Sequence, residues 1–186
     1  MEGRVGAGTR VWAFAHVCSG AVVGENCNVG EHCYIEGGSR VGDNCTIKNG
    51  VMIWNGVNLA DGVFVGPGVV FTNDSHPRSP RLFLVRSKYF TNDWIQPTYV
   101  GQGASIGANA TIGSGIDIGE FAMIGGGAVV TADVPAFSLV YGNPARIRGS
   151  VCACGKKIVL RKSVAQCRDC GRRFQKTSAG VRCENL

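Results

Sequence analysis

Asn73, Asp74 and His76 form the densest group of polar residues that could perform acid–base chemistry in this chain. An imidazole can accept a proton near neutral pH, and a carboxylate can orient an amine through a charge-assisted hydrogen bond. We therefore predict that these three residues form a catalytic site that holds an amine. The alternative is that Asn73, Asp74 and Ser75 cap a turn and that His76 is a solvated loop residue.

Four cysteines near the end of the sequence have the spacing of a metal site. The pairs Cys152/Cys154 and Cys167/Cys170 are separated by twelve residues, and a glycine follows each pair. Four thiolates suit tetrahedral Zn²⁺, so the pattern predicts a structural zinc site. The alternatives are an empty knuckle and a redox role. Cys183 is left over, and we expect a free thiol in a loose tail.

A six-residue repeat must position these groups. Every sixth residue from Val5 to Val65 is aliphatic, Phe71 takes the next step, and a second series runs from Val100 to Val130. A smaller residue such as Cys27 follows four positions after many of the aliphatic residues. Neither a helix nor a simple strand has this period, whereas a parallel β-helix does. The sequence thus predicts an all-β solenoid with the aliphatic residues inside and the small residues at tight corners.

The repeat is interrupted between Phe71 and Val100. A segment with two prolines, Pro77 and Pro80, cannot continue a coil, and long loops in compact domains are usually functional or disordered. We predict an inserted loop over residues 73–98 that acts as a lid or groove wall. The repeat domain is expected to span residues 1–149, and a basic, cysteine-rich tail to span residues 150–186.

Composition indicates whether the protein is globular, spans a membrane or is secreted. Apolar residues make up 45% of the chain and support a packed core. No run of about 18 apolar residues predicts a membrane span. The repeat begins almost at the N-terminus, so we expect no signal peptide. The single cysteines at corner positions indicate a reducing compartment, with the cytoplasm as the default.

Positive charge is concentrated in the last part of the sequence. Residues 1–139 hold 8 Lys+Arg and 11 Asp+Glu, whereas residues 140–186 hold 11 and 2. The basic part could attract a polyanion, a membrane surface or a phosphorylated cofactor, or it could be a solvated tail.

Several segments resemble the hexapeptide acyltransferases, and the resemblance covers roughly residues 5–149. It is carried by residues 45–50 (CTIKNG), 65–67 (VGP), 71–74 (FTND), 77–79 (PRS), 103–112 (GASIGANATI) and 142–146 (GNPAR). The resemblance implies a left-handed parallel β-helix with a small zinc-ribbon-like appendage. It is closest to N-acetyltransferases that act on the 3-amino group of dTDP- or UDP-linked deoxysugars. It also implies acetyl-CoA as co-substrate, bound between two subunits of a homotrimer. One departure is Ala13, where many relatives carry histidine.

Site residues follow from this resemblance together with the residue chemistry. Arg146 and Arg148 directly follow the last coil and are expected to meet the phosphates of CoA, while exposed turn amides polarise the thioester carbonyl. The cofactor-binding set is Gly107, Ala108, Asn109, Gly126, Ala128, Arg146 and Arg148. The substrate-binding set is Glu36, Lys48, Asn49, Trp54 and Arg78, although subunit packing is an alternative role for Lys48, Asn49 and Trp54.

Other functions remain open from the sequence alone. An O-acetyltransferase can use the same fold, and a scaffold or a zinc-ribbon binding module needs no catalysis. A carbonic-anhydrase-like site needs three histidine ligands, but the spacing of His16, His32 and His76 gives no obvious one. Within the N-acetyltransferase hypothesis, either His76 is the base or the amine arrives neutral and its proton leaves with the CoA thiolate. We expect no nucleic-acid or membrane partner.

Overall fold

The computed structural model describes residues 3–178 and 180–186, and the repeat in it is a parallel β-helix. Each hexad forms a strand of two or three residues followed by a turn. The strands of the solenoid are β1 (Arg4–Val5), β2 (Arg10–Val11), β3 (His16–Val17), β4 (Val22–Val23), β5 (Asn28–Val29), β6 (Tyr34–Ile35), β7 (Arg40–Val41), β8 (Thr46–Ile47), β9 (Met52–Ile53), β10 (Val57–Leu59), β11 (Phe64–Val65), β12 (Val70–Phe71), β13 (Thr98–Val100), β14 (Ser105–Ile106), β15 (Thr111–Ile112), β16 (Asp117–Ile118), β17 (Met123–Ile124) and β18 (Val129–Val130).

These strands form three parallel sheets, which we call faces A, B and C. Face A has the order β1-β4-β7-β10-β13-β16, face B begins β2-β5-β8-β11-β14-β17, and face C contains β3-β6-β9-β12-β15-β18. Arg4 pairs with Val22, so each coil advances the chain by eighteen residues. The corners between successive faces are named A/B, B/C and C/A.

The last residue of each strand points into the solenoid. These side chains are buried from Val23 to Val130, whereas Val5 and Val11 in the first coil are 43% and 40% exposed. The small corner residues are buried as predicted, and the thiols also satisfy the backbone there. The Cys27 thiol donates to the Gly42 carbonyl (3.1 Å) and accepts the Cys45 N–H (3.3 Å). Burial raises the pKa of Cys45 to about 12, so this thiol stays neutral.

The inserted loop leaves the solenoid at corner C/A without disturbing the stacking. β10 still pairs with β13, with Val57 opposite Thr98. Thr98 therefore already belongs to a strand, and the loop covers residues 72–97. It contains the one helical element among the described residues, a 3-10 helix at Arg86–Phe90. No helix in the described ranges is long and apolar enough to cross a membrane.

The stacking continues beyond Val130, the last residue of the second aliphatic series. Val134 bridges to Ile118, and a further strand stacks in parallel on β17. The chain then turns back antiparallel along face B and forms a separate three-stranded sheet. These strands are β19 (Ser138–Gly142), β20 (Ala145–Val151), β21 (Lys157–Ile158), β22 (Val164–Gln166), β23 (Arg173–Thr177) and β24 (Gly180–Cys183).

The ribbon, defined here as residues 150–178 and 180–186, packs on the solenoid through aromatic rings. Phe137 is 1% exposed and lies between Phe121 and Phe174, with ring centroids 5.4 Å away on each side. Phe121 and Phe137 have φ values of 52° and 56°, which are unfavourable for a bulky residue. The packing of the ribbon offsets this strain. Cys183 belongs to β24 and pairs with Phe174 of β23, so the expectation of a loose tail is wrong.

Candidate active site and metal centre

Corner C/A holds the first group of predicted site residues around the backbone of Asn55. The Glu36 carboxylate accepts the Asn55 N–H (2.8 Å), and the Asn73 side-chain amide donates to the Asn55 carbonyl (3.1 Å). Asn73 thus anchors the start of the loop, and the Asn73 backbone carbonyl accepts the Gln96 N–H from the end of the loop (2.9 Å). Trp54, in the same corner, packs on Tyr34 at a centroid distance of 5.5 Å.

Asp74 organises the loop through its carboxylate. The Lys88 ammonium donates to both oxygens (2.8 Å each), and the Tyr89 hydroxyl and the His76 N–H each donate to one of them (3.1 and 2.9 Å). Burial acts to raise the pKa of Asp74, but the hydrogen bonds from Lys88, His76 and Tyr89 outweigh it, so the pKa is lowered. The carboxylate is therefore ionised at neutral pH and ties distant parts of the loop together.

His76 and Arg78 keep their side chains in solvent. The His76 Nδ1 lies 3.0 Å from the Ser75 hydroxyl. The Arg78 N–H donates to the Tyr89 hydroxyl, and its guanidinium donates to the neighbouring Pro77 carbonyl, both at 2.9 Å. The structure thus brings Asn73, Asp74, His76 and Arg78 into one loop next to Glu36 and Trp54.

Lys88 and Tyr89 were not identified by the sequence reasoning. They lie 14 and 15 residues after Asp74, and an irregular loop has no period that would connect these positions.

Corner B/C holds a second group of predicted residues, stacked in successive coils. Lys48 and Asn49 are exposed there, and Gly107, Ala108 and Asn109 lie above them in the same corner. The Gly107 N–H donates to the Ile124 carbonyl (2.8 Å), the Asn109 N–H donates to the Pro67 carbonyl (2.9 Å), and the Ala108 carbonyl accepts the Gly127 N–H (2.8 Å).

Several turn amides of this corner remain available. Among the described residues, the equivalent N–H groups of Ala13, Glu31, Asn49, Ala108 and Gly126 donate to no protein acceptor. Ala108 and Gly126 are stacked one coil apart, and they are the members of the cofactor-binding set whose turn amides could donate to a developing oxyanion. Ala128 is fully buried, and its N–H and carbonyl bond to Gly125 and Thr111, so its observed role is packing.

Within one chain, the two groups lie at opposite edges of face C. Corner C/A carries the loop, and corner B/C carries the free amides. Arg146 and Arg148 lie on the exposed part of β20, and Arg146 is paired with Tyr141, which stacks on Gly125 of corner B/C. The Arg146 guanidinium donates to the Ala145 carbonyl (2.9 Å), and Arg148 lies 5.7 Å from the Tyr141 ring centroid.

The four predicted zinc ligands converge. The sulfur atoms of Cys152, Cys154, Cys167 and Cys170 all lie within 4.8 Å of one another, with Cys152–Cys170 at 3.3 Å and Cys154–Cys167 at 3.6 Å. Four sulfurs at a tetrahedral zinc, each at about 2.3 Å from the metal, would be about 3.8 Å apart. The donor set and its spacing therefore fit one Zn²⁺.

The backbone forms a tight turn at each cysteine pair. Gly155 donates its N–H to the Cys152 carbonyl (2.8 Å), and Gly171 donates to the Cys167 carbonyl (3.0 Å). Both glycines have positive φ, 85° and 75°, so each closes a turn that side-chain-bearing residues adopt reluctantly. The repeated geometry explains the glycine after each cysteine pair.

Arg172 supplies positive charge beside the cysteines. Its backbone N–H, and then its side chain, lower the pKa of Cys170 to about 6. The Cys170 thiolate is the form that a metal binds. Arg172 is suited to balance the negative charge that four thiolates would place around one divalent ion.

Comparison with known proteins places the repeat in a family. The profile of the bacterial transferase hexapeptide (six repeats) matches residues 3–37 and 97–132. The chain is 47% identical over 172 residues to dTDP-3-amino-3,6-dideoxy-alpha-D-galactopyranose 3-N-acetyltransferase of Aneurinibacillus thermoaerophilus. That alignment covers 92% of this chain and 84% of the relative.

Solved structures share the fold. Perosamine N-acetyltransferase from Caulobacter crescentus, in complex with CoA and GDP-perosamine, aligns with a TM-score of 0.63 at 24% identity, over 79% of this chain and 58% of that one. The acetyltransferase domain of PglB from Neisseria gonorrhoeae, in complex with acetyl coenzyme A, gives 0.61 at 21% identity, over 75% and 57%. The chain thus spans somewhat more than half the length of these two structures. With the repeat, its stacking and the 47% identical relative together, the chain belongs to the hexapeptide-repeat acetyltransferase family.

Proposed function

We propose that the protein transfers the acetyl group of acetyl-CoA to the 3-amino group of a dTDP-linked amino deoxysugar. The observation that carries this proposal is the 47% identity to a dTDP-3-amino-sugar N-acetyltransferase over 92% of the chain. A UDP-linked sugar is the alternative nucleotide form.

Acyl transfer from a thioester to an amine needs a polarised carbonyl and an aligned, unprotonated amine. The free N–H groups of Ala108 and Gly126 in corner B/C are suited to stabilise the oxyanion. Lys48 and Asn49 flank the same corner and are assigned to the sugar nucleotide. Arg146 and Arg148 carry exposed positive charge for the phosphates of CoA.

The loop at corner C/A is assigned to the acceptor amine. A carboxylate offers about four acceptor sites, and the hydrogen bonds to Asp74 from Lys88, Tyr89 and His76 use that many. We therefore assign Asp74 to positioning of the loop, since an amine would have to displace one of these donors to reach it. His76 is exposed and is the member of the cluster that remains free to take a proton.

A homotrimer would bring the two corners together. The first residues of the face C strands are His16, Tyr34, Met52, Val70, Thr111 and Val129, and with histidine neutral none carries a formal charge. Face A, by contrast, presents Arg4, Arg40 and Asp117 at the equivalent positions. An uncharged face is suited to self-association, so that the loop of one subunit meets corner B/C of another. We assign the protein to the cytoplasm and its cysteine quartet to structural zinc.

The direct test is an acetyl-transfer assay with purified protein. Acetyl-CoA and a dTDP-3-amino-deoxysugar should yield free CoA thiol together with an amide product identified by mass spectrometry. The matched control is the same dTDP-sugar with a hydroxyl in place of the amine. Acetylation of the hydroxyl sugar alone would indicate an O-acetyltransferase, and absence of any CoA release would contradict the proposal. Sedimentation equilibrium tests the trimer, and a monomer at micromolar concentration would exclude the shared site.

A further inference from the structure

A groove on the ribbon lies apart from both corners of the solenoid. The segment from Lys156 to Asp169 bends back on itself, because Arg161 and Val164 exchange two backbone hydrogen bonds (2.7 and 3.1 Å). Together with Arg173 and Glu184, this arch borders an open groove of about 910 Å³. The volume lies in the range of small-molecule sites, roughly 300–1,000 Å³.

The groove is strongly cationic. Its basic lining residues are Lys156, Lys157, Arg161, Arg168 and Arg173, and its acidic ones are Asp169 and Glu184. In the described part of the chain, the one ion pair among these seven residues is Lys156–Asp169, at 3.6 Å. The three arginines therefore keep their charges unpaired around a concave surface.

The groove also has apolar lining residues. Ile158 and Phe174 are buried and Ala165 is half-buried, while Val159 and Val164 are 68% and 52% exposed. Exposed branched aliphatic residues beside unpaired arginines favour a ligand with both an anionic group and an uncharged body. Guanidinium groups bind phosphate in a bidentate manner, which lysines do not.

We infer that the ribbon groove binds a nucleoside phosphate, with its phosphates on Arg161, Arg168 and Arg173 and its nucleoside against Val159 and Val164. The single aromatic lining residue, Phe174, is 1% exposed, so the groove has no stacking platform of the kind that single-stranded nucleic acids use. If the proposed function is right, two molecules in the reaction mixture carry this chemistry. One is CoA, through its nucleotide end, and the other is a nucleoside diphosphate that binds independently of the active site.

The test is calorimetric titration of the zinc-loaded, full-length protein with ADP, dTDP and CoA, with adenosine as the uncharged control. The variant Arg161→Ala/Arg173→Ala removes two lining charges, whereas Lys176→Ala/Arg182→Ala removes two charges from β23 and β24 outside the groove. We expect the groove variant to bind these phosphates at least about tenfold more weakly than the control variant, since charge-assisted hydrogen bonds to phosphate are lost. Thermal unfolding and zinc content should be the same for both variants.

Kinetics with acetyl-CoA distinguish the two sources. A higher KM for acetyl-CoA in the groove variant alone would place the nucleotide end of CoA in the groove, and an unchanged KM with lost ADP binding would show a separate nucleotide site. ADP binding without acetyl transfer would leave the inference intact while contradicting the proposed function. The inference would be overturned by equal affinities in both variants, by adenosine binding as tightly as ADP, by no binding at millimolar ADP, or by a preference for single-stranded RNA over ADP.

Discussion

The loop and the ribbon are the two places where the chain leaves the solenoid, and they are held in different ways. The loop exposes most of its apolar residues: Leu82, Phe83, Leu84 and Phe90 are 52%, 75%, 91% and 73% exposed. It is tied by the polar contacts of Asp74. The ribbon buries Phe174 and Ile158 around the cysteine quartet. A loop held by a few polar contacts can open at low cost, whereas the ribbon is built to stay in place. We therefore expect loop variants to affect catalysis and ribbon variants to affect stability.

The largest effect is expected from loss of the metal ligands. Cys167→Ser/Cys170→Ser should abolish stoichiometric zinc and unfold the ribbon, because structural zinc sites supply apparent free energies of about 10–16 kcal/mol in small peptides. Elemental analysis and amide hydrogen exchange measure the two outcomes. Cys183→Ser, at a cysteine outside the quartet, is the control and should retain zinc. Full zinc content in the double variant would exclude the site.

Phe174→Ala should cost about 3–5 kcal/mol in the free energy of unfolding of the ribbon, because it removes a buried ring from the aromatic stack. Phe83→Ala removes the same ring from the loop, where 75% of the residue is exposed, and should cost less than about 0.5 kcal/mol. Denaturant unfolding of the two variants compares the regions directly. Equal losses would contradict the distinction between them.

Asp74→Asn should lower kcat/KM on the order of 10²-fold, since the loop would lose its position relative to the amine. Lys88→Met should have a similar effect, because it removes the other partner of the same ion pair. Both variants should keep the melting temperature of the solenoid. Asp93→Asn, an acid elsewhere in the loop, is the control and should be close to wild type.

His76→Ala separates the two proton-transfer schemes. We expect a change in kcat below about tenfold, because the amine arrives neutral and its proton leaves with the thiolate, whereas loss of a general base would cost roughly 10²–10⁴-fold. Steady-state kinetics between about pH 6 and pH 9 distinguish the two proton-transfer schemes. A large loss together with disappearance of a basic limb from the profile would make His76 the base.

The smallest effect is the acid response of the loop. The pKa of Asp74 is lowered in the folded protein, so its stabilising contribution is complete above the ordinary carboxyl range and is lost as the pH falls through the folded pKa. The loop should therefore loosen in acid before the solenoid unfolds. Trp94, which packs edge-on against Tyr89 at 5.3 Å, reports this by fluorescence in a variant that lacks the other two tryptophans. The transition should be absent when Asp74→Asn is added.

The solenoid could be predicted from sequence because one period repeats over many coils, and each aliphatic residue independently indicates the same register. The stacking beyond Val130 could not be predicted because the next inward residue, Val134, follows four positions later rather than six. Most corner positions with positive φ are filled by glycine or asparagine, whereas Phe14, Phe121 and Phe137 fill three of them. A rule based on turn propensity does not predict a phenylalanine at such a position.

Some residues of the candidate site could be predicted from the sequence, and others could not. The zinc ligands could be found because four cysteines in two pairs are a local pattern, and the structure brings all four together. The loop cluster could be located because the repeat does not require Asn73, Asp74 or His76. The partners that fix Asp74 could not, because they depend on how an irregular loop folds. The free amides of Ala108 and Gly126 could not be singled out either, since every coil has similar turns and the equivalent N–H groups of Ala13, Glu31 and Asn49 are also unused.

The stacking of the coils also limits where the sequence can gain or lose residues. Arg4 pairs with Val22, eighteen positions along, so an insertion or deletion inside the solenoid keeps its partners only when it amounts to a whole coil. At corner C/A this constraint is lifted, because Val57 pairs with Thr98 across 41 positions without loss of register. The sequence length can therefore vary at this corner, where the inserted loop emerges, without a change in the stacking of the coils.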